Sequence, residues 1–214
     1  MAKRDTRELI LTTSLELFNQ FGEPHVTTNH IADEADMSPG NLYYHFRSKD
    51  DIVIELFKRF LARFQPLVEI SDQILLQAED LWFQLHLSFE LKGEFRFLYR
   101  NLSDLTARIP DLDRAMRGLL KRERQSAWNS LSGLEKTGVM TIDSRQKDLL
   151  ADSILLALTY WIPFSELFDP RGMEDSTAQT RAIARVLLTV TPHLRDPEKT
   201  QFTELAYQYL SHPA

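Results

Sequence analysis

Two short helices separated by a turn constrain this chain more than any other feature, and they lie between Thr27 and Lys49. Thr27 is placed to cap the first helix, whose apolar residues recur at helical spacing. Ser38 is placed to cap the second helix, with Pro39 at its first position, where no backbone donor is required. The second helix is rich in hydrogen-bonding side chains and buries little apolar surface. The pattern therefore predicts a helix-turn-helix whose second helix contacts another molecule.

The second short helix carries most of the residues that we expect to contact DNA. Gly40 has no side chain, so it would let the backbone approach a duplex closely. Asn41 offers both a donor and an acceptor, and it can therefore hydrogen-bond to a base edge or a phosphate. Hydroxyl and imidazole groups are suited to phosphates, and a lysine at the start of the next helix adds its charge to free amides. The predicted DNA-binding residues are Thr27, Thr28, Ser38, Gly40, Asn41, Tyr43, Tyr44, His45 and Lys49.

The apolar positions of the same stretch predict its core. Leu42 and Phe46 form the apolar side of the second short helix and are assigned to the interior. Tyr43 has an alternative role as a partly buried residue packed on the first short helix. His30 is expected to be an exposed polar residue and not a ligand.

The charge balance of the chain argues against DNA binding when it is taken alone. The net charge is −6, and the first 64 residues hold eight lysines and arginines against ten aspartates and glutamates. A nucleic-acid-binding module usually shows a basic surface, so here that surface would have to be local. The basic residues of this region are Lys3, Arg4, Arg7, Arg47, Lys49, Lys58, Arg59 and Arg63.

Beyond this stretch every segment keeps the helical period, and no convincing strand is present. We predict an all-α fold of about 9–10 helices, with a three-helix helix-turn-helix domain at residues 1–49 and a helical effector-binding and dimerisation domain at residues 50–214. Pro66 is expected to end or kink the helix that starts near Asp50, and residues 169–172 are expected to form a loop. The other predicted helices are Thr6–Phe21, Ile70–Leu91, Glu94–Leu105, Asp111–Lys136, Asp143–Phe168, Ser176–Val190 and Pro197–Leu210.

Several classes of protein are disfavoured by what the sequence lacks. The chain has no cysteine, which excludes disulfides and thiolate metal sites. It has no secretory signal and no apolar run long enough to span a bilayer, so we expect a cytoplasmic protein. No glutamate is followed by histidine three residues later, and no His-Glu-x-x-His or Gly-x-Ser-x-Gly motif is present. We therefore predict no catalytic residues, no cofactor and no metal site, with a helical enzyme as a remote alternative.

The first fifty residues closely resemble the N-terminal signature of tetracycline-repressor-type transcriptional regulators. The resemblance rests on the order and spacing of Thr27-Thr28, Ile31-Ala32, Gly40–Phe46 and Ser48-Lys49 after the amphipathic first helix. It implies a dimer that binds a pseudo-palindromic operator, usually as a repressor. It further implies that a small molecule bound in the C-terminal domain moves the long linking helix and disrupts the half-site spacing. A regulator controlled by a protein partner, or one without an effector, is the alternative.

The effector pocket and the dimer interface are predicted less specifically. An apolar or aromatic effector is expected because the middle helices are rich in aromatic residues. An inward-facing Arg100 would favour an effector that bears a carboxylate. The family implies a homodimer through helices near 143–168 and 176–190, using Leu155, Leu158, Ile162, Ile183, Leu187 and Val190, although the last helix could instead bury this surface. The predicted effector-binding residues are Trp82, His86, Tyr99, Arg100, Trp128 and Tyr160.

Overall fold

The computed structural model describes residues 3–69, 77–168 and 177–211, and these ranges are helical apart from short connections. Their only β-type pairing is an isolated bridge between Met140 and Leu194. The all-α prediction is therefore confirmed. The helices are α1 (Lys3–Phe21), α2 (Thr28–Glu34), α3 (Pro39–His45), α4 (Lys49–Glu69), α5 (Ala78–Glu94), α6 (Arg96–Arg100), α7 (Leu102–Arg108), α8 (Pro110–Lys136), α9 (Ser144–Phe168), α10 (Thr177–Val190) and α11 (Glu198–Ser211).

The predicted helix Glu94–Leu105 is wrong as a single element, because the chain forms α6 and α7 with a break at Asn101. Asn101 has φ −110° and ψ 22°, outside the helical region. Its side-chain oxygen accepts a hydrogen bond from the backbone N–H of Glu23 at 3.4 Å. Asparagine favours such contacts over a helix interior. This split raises the number of helices in the described residues above the predicted range.

Prolines inside helices did not end them. α4 continues past Pro66 to Glu69, and α9 contains Pro163. α5 begins at Ala78, while the first part of the predicted helix Ile70–Leu91 lies outside the described residues. The predicted loop at residues 169–172 also lies outside them.

The chain divides into two compact units. The first unit comprises Met1–Arg63 and Glu94–Met116, and the second comprises Phe64–Gly93 and Arg117–Ala214. The helices α4 and α8 each contribute residues to both units. The predicted division into residues 1–49 and 50–214 concerns function and stays a prediction.

The core of the first unit contains the apolar faces of α1 to α4 and of α6 and α7. Phe18 of α1 packs against Phe97 of α6, with ring centroids 5.2 Å apart. Phe60 of α4 contacts Tyr99 edge to face at 5.9 Å. Thr13 and Ser14 are buried, and the Ser14 hydroxyl donates to the Ile10 carbonyl at 2.6 Å. Burial of these faces holds the two short helices against α1.

The core of the second unit is formed by α5, α8, α9, α10 and α11. Leu85 of α5, Leu131 of α8, Ile154 of α9 and Leu187 of α10 are all buried in one cluster, together with Phe202 of α11. Among the described helices, none combines the length and apolar character that a membrane-spanning helix requires.

Candidate nucleic-acid interface and cavity

The N-terminus of α2 is fixed by a reciprocal pair of hydrogen bonds. The Thr27 side-chain oxygen accepts from the His30 backbone N–H at 3.2 Å, and His30 Nδ1 accepts from the Thr27 N–H at 3.4 Å. This is a capping box in which histidine takes the place of the usual Glu or Gln. The predicted cap at Thr27 and the exposed position of His30 are both confirmed.

The turn between α2 and α3 depends on one residue in the left-handed region. Asp36 has φ 49°, which aspartate tolerates better than most residues. The next N–H, from Met37, donates to the Ala32 carbonyl at 2.9 Å and closes the end of α2. α3 then begins with Ser38 as its cap, whose side-chain oxygen accepts from the Asn41 N–H at 3.2 Å. These local signals place α3 as the sequence predicts.

The outer face of α3 is polar and exposed, while its inner face is buried. Leu42 and Phe46 are buried as predicted. Gly40, Asn41 and Tyr44 are exposed, and Tyr44 is 69% exposed. Most of the Tyr44 side chain therefore lies on the surface of α3.

Tyr43 links α3 to α2 and does not pack in the core. It is 48% exposed, and its hydroxyl lies 2.9 Å from the Thr28 hydroxyl. The Tyr44 ring meets the His45 ring edge to face at 5.3 Å. The structure therefore brings Thr28, Tyr43, Tyr44 and His45 onto one surface with Gly40 and Asn41.

Lys49 is the predicted DNA-binding residue whose charged group has partners within the protein. Its ammonium donates to the backbone carbonyls of Glu23 at 2.8 Å and Val26 at 2.9 Å. It also forms an ion pair with the buried Glu23 carboxylate at 3.0 Å. Arg108 pairs with the same carboxylate at 2.8 Å. The Lys49 side chain thus joins the start of α4 to the segment before α2.

The basic residues near this surface differ in whether their charged groups contact other parts of the protein or face solvent. Arg7 pairs with Glu55 at 3.2 Å and lies over the Phe46 ring at 4.9 Å. The hydrogen bond from Arg7 keeps the pKa of Glu55 below its ordinary value. Arg47, two residues after the end of α3, is exposed. Arg47 is a further candidate for a phosphate contact that the predicted set omitted.

The second unit contains an interior cavity with walls from α4, α5, α8 and α9. Its volume is about 380 Å³, including a part that opens to solvent. Most lining side chains are apolar, and the polar ones are Gln84, Ser88, Glu123 and Ser126. Gln84 donates to the Ser126 hydroxyl at 2.9 Å and accepts from Ser130 at 3.1 Å. The described residues hold no cluster of three or more side chains suited to a metal ion.

The six predicted effector-binding residues are dispersed. Trp82 and His86 lie together, and both hydrogen-bond to the hydroxyl of Tyr209, at 2.9 Å and 2.8 Å. Burial lowers the pKa of His86, against the opposing charge of Glu90.

The other four predicted effector-binding residues have separate surroundings. Trp128 stacks beneath the ammonium of Lys147 at 5.0 Å, and Tyr160 is 49% exposed on α9. Tyr99 is buried in the first unit, where Arg100 donates to the Asn19 carbonyl at 2.9 Å. None of the six is among the described residues that line the cavity. Their role in effector binding stays a prediction.

A buried charged pair beside the cavity was not predicted from the sequence. Lys92 and Glu123 are almost completely buried, and their charged groups lie 2.6 Å apart. Both occupy apolar positions of their helices: Lys92 follows Leu85 by seven residues, and Glu123 precedes Ala127 by four. A charge on the apolar stripe of an amphipathic helix is the signal that would have identified them.

An exposed apolar face runs along α9. Leu149, Leu156, Tyr160, Phe164 and Leu167 recur at intervals of three, four and seven residues, and Leu167 is 87% exposed.

The residues of α10 that were assigned to the dimer surface occupy a different environment. Ile183, Leu187 and Val190 are buried in the core of the second unit, which also contains Phe202 and Ala206 of α11. Their assignment to a dimer surface is wrong, because the last helix helps to cover them, as the alternative stated.

Comparisons with known proteins agree with this architecture. Residues 10–56 match the family of bacterial regulatory proteins named tetR, and residues 59–202 match a family of bacterial transcriptional repressors named TetR. A TetR-family transcriptional regulator from Marinobacter aquaeolei VT8 is 30% identical, with a TM-score of 0.86 over 98% of this chain and 99% of that chain. The SmeT–triclosan complex has the same fold, with 19% identity and a TM-score of 0.62 over 91% of this chain and 94% of that one.

Curated relatives match over shorter stretches. The transcriptional repressor KstR2 of Mycolicibacterium smegmatis is 25% identical over 111 residues, which are 50% of this chain and 54% of that protein. The chain thus spans about half the length of the curated relatives it matches. These proteins regulate transcription and are not enzymes, in agreement with the prediction for this chain. Because family matches cover both the helix-turn-helix and most of the remaining chain, this protein belongs to the TetR family of bacterial transcriptional regulators.

Proposed function

We propose that this protein is a homodimeric repressor that binds a pseudo-palindromic operator through α2 and α3 and is released by a small, mainly apolar effector. The observation that carries the proposal is the polar, exposed outer face of α3, which stands on a buried apolar inner face. A regulator of this kind acts on DNA within the bacterial cytoplasm.

The side chains of this face divide into two roles. Asn41 is the residue proposed to contact a base edge, because its amide both donates and accepts. Thr27, Thr28, Tyr43, Tyr44 and His45 carry groups suited to phosphate oxygens, which position a protein on DNA without selecting a sequence. Ser38 and Gly40 allow the start of α3 to approach the duplex. Lys49 supports this surface through its ion pair with Glu23 and is not proposed to contact a phosphate.

The exposed face of α9 supports the dimer. Monomeric proteins rarely expose a continuous apolar patch, and such a patch marks a contact with another molecule. Leu156 is 62% exposed and Phe168 is 72% exposed at positions that a second copy would cover. A homodimer would carry two copies of α3, and an operator with two half-sites about 34–36 Å apart requires two such helices.

The cavity of the second unit supports the effector. Its lining is mostly apolar with a few polar side chains, which is the composition that small-molecule sites typically have. α4 begins beside α3 at Lys49 and also supplies Phe64, Leu67 and Val68 to the cavity wall. An effector that displaces these side chains would act on the helix that follows the helix-turn-helix. SmeT, a protein with the same fold, has been solved in complex with triclosan.

The assignment of α3 is tested by substitutions on an operator selected from random duplex DNA. Tyr44→Ala should weaken binding to every sequence, whereas Asn41→Ala should weaken binding and also change the preferred base at one position of each half-site. We expect losses of about tenfold or more, since each tenfold corresponds to about 1.4 kcal/mol. Fluorescence anisotropy on the operator and on single-base variants measures both effects.

Tyr207→Ala is the matched control, because Tyr207 is 58% exposed on α11, in the second unit. It should bind the operator as the unsubstituted protein does. If Asn41→Ala and Tyr44→Ala also bind with unchanged affinity and base preference, the outer face of α3 is not the DNA-binding surface.

A further inference from the structure

The cavity of the second unit borders a buried ion pair that leaves one oxygen without a protein partner. Lys92 and Glu123 have side chains that are 1% and 2% exposed, and Lys92 Nζ donates to Glu123 Oε2 at 2.6 Å. The same ammonium donates to the Leu158 carbonyl at 3.2 Å and lies 5.2 Å from the centre of the Phe64 ring. Only one of the two carboxylate oxygens is thereby engaged.

Glu123 Oε1 is the group that points to a ligand. Glu123 lines the cavity, and its Oε1 is buried with no hydrogen-bond partner among the described residues. Buried carboxylate oxygens normally accept hydrogen bonds, because water has been removed from them. The neighbouring amide of Gln84 is engaged with Ser126 and Ser130. A donor brought by a bound molecule would complete the hydrogen bonding of Glu123.

The charge of the pair determines which kind of donor fits. The ammonium of Lys92 and the carboxylate of Glu123 together carry no net charge. A cationic ligand would therefore leave an uncompensated positive charge among apolar side chains, and an anionic one would face the carboxylate directly. A neutral hydroxyl or N–H satisfies Oε1 without adding charge. Arg100, whose inward orientation would have favoured a carboxylate-bearing effector, instead donates to the Asn19 carbonyl in the first unit.

We propose that the cavity binds a small, uncharged and mainly apolar molecule that donates a hydrogen bond, from a hydroxyl or an N–H group, to Glu123 Oε1. The apolar lining supplies most of the contact area, and the Lys92–Glu123 pair selects the donor. This inference rests on the proposed function, since it names the chemical class of the effector.

Four rigid probes of similar size test the proposal: adamantane carrying a hydroxyl, a methyl, an ammonium or a carboxylate group at one bridgehead. Their dissociation constants are measured by calorimetry on the full chain. The hydroxyl probe should bind about tenfold or more tightly than each of the other three, as expected for one satisfied hydrogen bond in a buried site. Naphthalene carrying a hydroxymethyl, an ethyl, an aminomethyl (protonated to the ammonium) or a carboxylate group repeats the test with a flat shape.

The double variant Lys92→Met/Glu123→Leu removes the pair without leaving a lone buried charge, so the fold should persist. In this variant the hydroxyl and methyl probes should bind equally. The matched control is Asp111→Leu/Arg114→Met. It removes an exposed ion pair of α8, the helix that carries Glu123, in which the two charged groups lie 2.9 Å apart, and it should preserve the preference for the hydroxyl probe.

Three results would overturn the inference: no binding of either hydroxyl probe, tighter binding of a charged or methyl probe, or a hydroxyl preference that survives in the double variant. Operator affinity is measured in the same samples without probe. If the unsubstituted protein binds its operator but shows no preference for the hydroxyl probe, the inference alone is overturned, whereas failure of the unsubstituted protein to bind any operator overturns the proposed function.

Discussion

His86 shows how the surroundings of one side chain set the response of the protein to acid. Its ring hydrogen-bonds to Tyr209 and packs edge to face on Trp82, with centroids 4.6 Å apart. Burial lowers its pKa below the ordinary value of 6.5, while the charge of Glu90 opposes the shift. The unfolded chain therefore binds more protons than the folded chain just below this value. The free energy of unfolding must decrease as the pH falls through that range.

We predict that His86→Gln reduces the loss of thermal stability between about pH 7.5 and about pH 5.5, a range that spans the ordinary histidine pKa of about 6.5. Glutamine can keep a hydrogen bond to Tyr209 but does not titrate. The difference should be at most about 2–4 °C, the shift for about 1 kcal/mol in a chain of this size, because the ring is partly exposed and screened. Thermal unfolding followed by circular dichroism measures it.

The rest of the sequence is identical in the two proteins, so its contributions to the pH dependence cancel in the comparison. An equal loss of stability in the two proteins would show that His86 titrates alike in the folded and unfolded chains.

Lys49 and Glu123 show why residue roles were only partly predictable. The sequence indicates that Lys49 carries a charge at the start of a helix, but not that Glu23, 26 residues earlier, supplies its partner. Such pairings depend on tertiary contacts that no local pattern contains. The buried position of Glu123 could have been predicted, because helical spacing places it on the apolar stripe of α8. The lack of a partner for its second carboxylate oxygen could not be predicted, because it depends on where Lys92 lies in the fold.

At the scale of elements, Gly40 of α3 affects both the stability of the fold and the proposed binding of the operator. A Cβ added at Gly40 would have only the Ser38 side-chain oxygen nearby, at 4.0 Å. We predict that Gly40→Ala stabilises the protein by up to about 0.5–1 kcal/mol, since glycine is unfavourable within helices. The same substitution should weaken operator binding several-fold, because the methyl group holds the backbone away from the duplex. Denaturant unfolding and anisotropy measure the two effects.

Gly118→Ala in α8 provides the control, because its Cβ would meet the Arg122 side chain at an ordinary distance of 3.6 Å. It should change stability in the same direction and leave operator affinity unaltered. Unchanged operator binding by Gly40→Ala would mean that the start of α3 does not approach DNA closely.

Helix positions were predicted well where their signals are local. Thr27, Ser38 and Pro39 mark the starts of α2 and α3 through hydrogen bonds and a fixed backbone angle within four residues. The break at Asn101 was not predicted, because the contact that accompanies it comes from Glu23 in a distant part of the sequence.

At the scale of the whole molecule, the apolar face of α9 determines the proposed assembly. We predict that Leu156→Glu/Leu167→Glu converts the dimer to a monomer of 24.9 kDa, because two charges would be buried in the contact. Operator affinity should fall about tenfold or more, since a monomer occupies one half-site. Analytical ultracentrifugation and anisotropy measure these changes.

Phe83→Glu is the control, since Phe83 is 57% exposed on α5. It should remain dimeric. A Leu156→Glu/Leu167→Glu variant that sediments as a dimer would assign the interface to another surface.

Selection of bound duplexes from a random-sequence DNA library, followed by sequencing, examines the central claim that this chain is a dimeric reader of DNA. The unsubstituted protein should enrich a pseudo-palindrome whose half-sites are separated by about one helical turn, or 10–10.5 base pairs, or a multiple of it. Asn41→Ala should enrich a site altered at matching positions of both halves. Failure to enrich any site, or enrichment of one without two-fold symmetry, would contradict the claim.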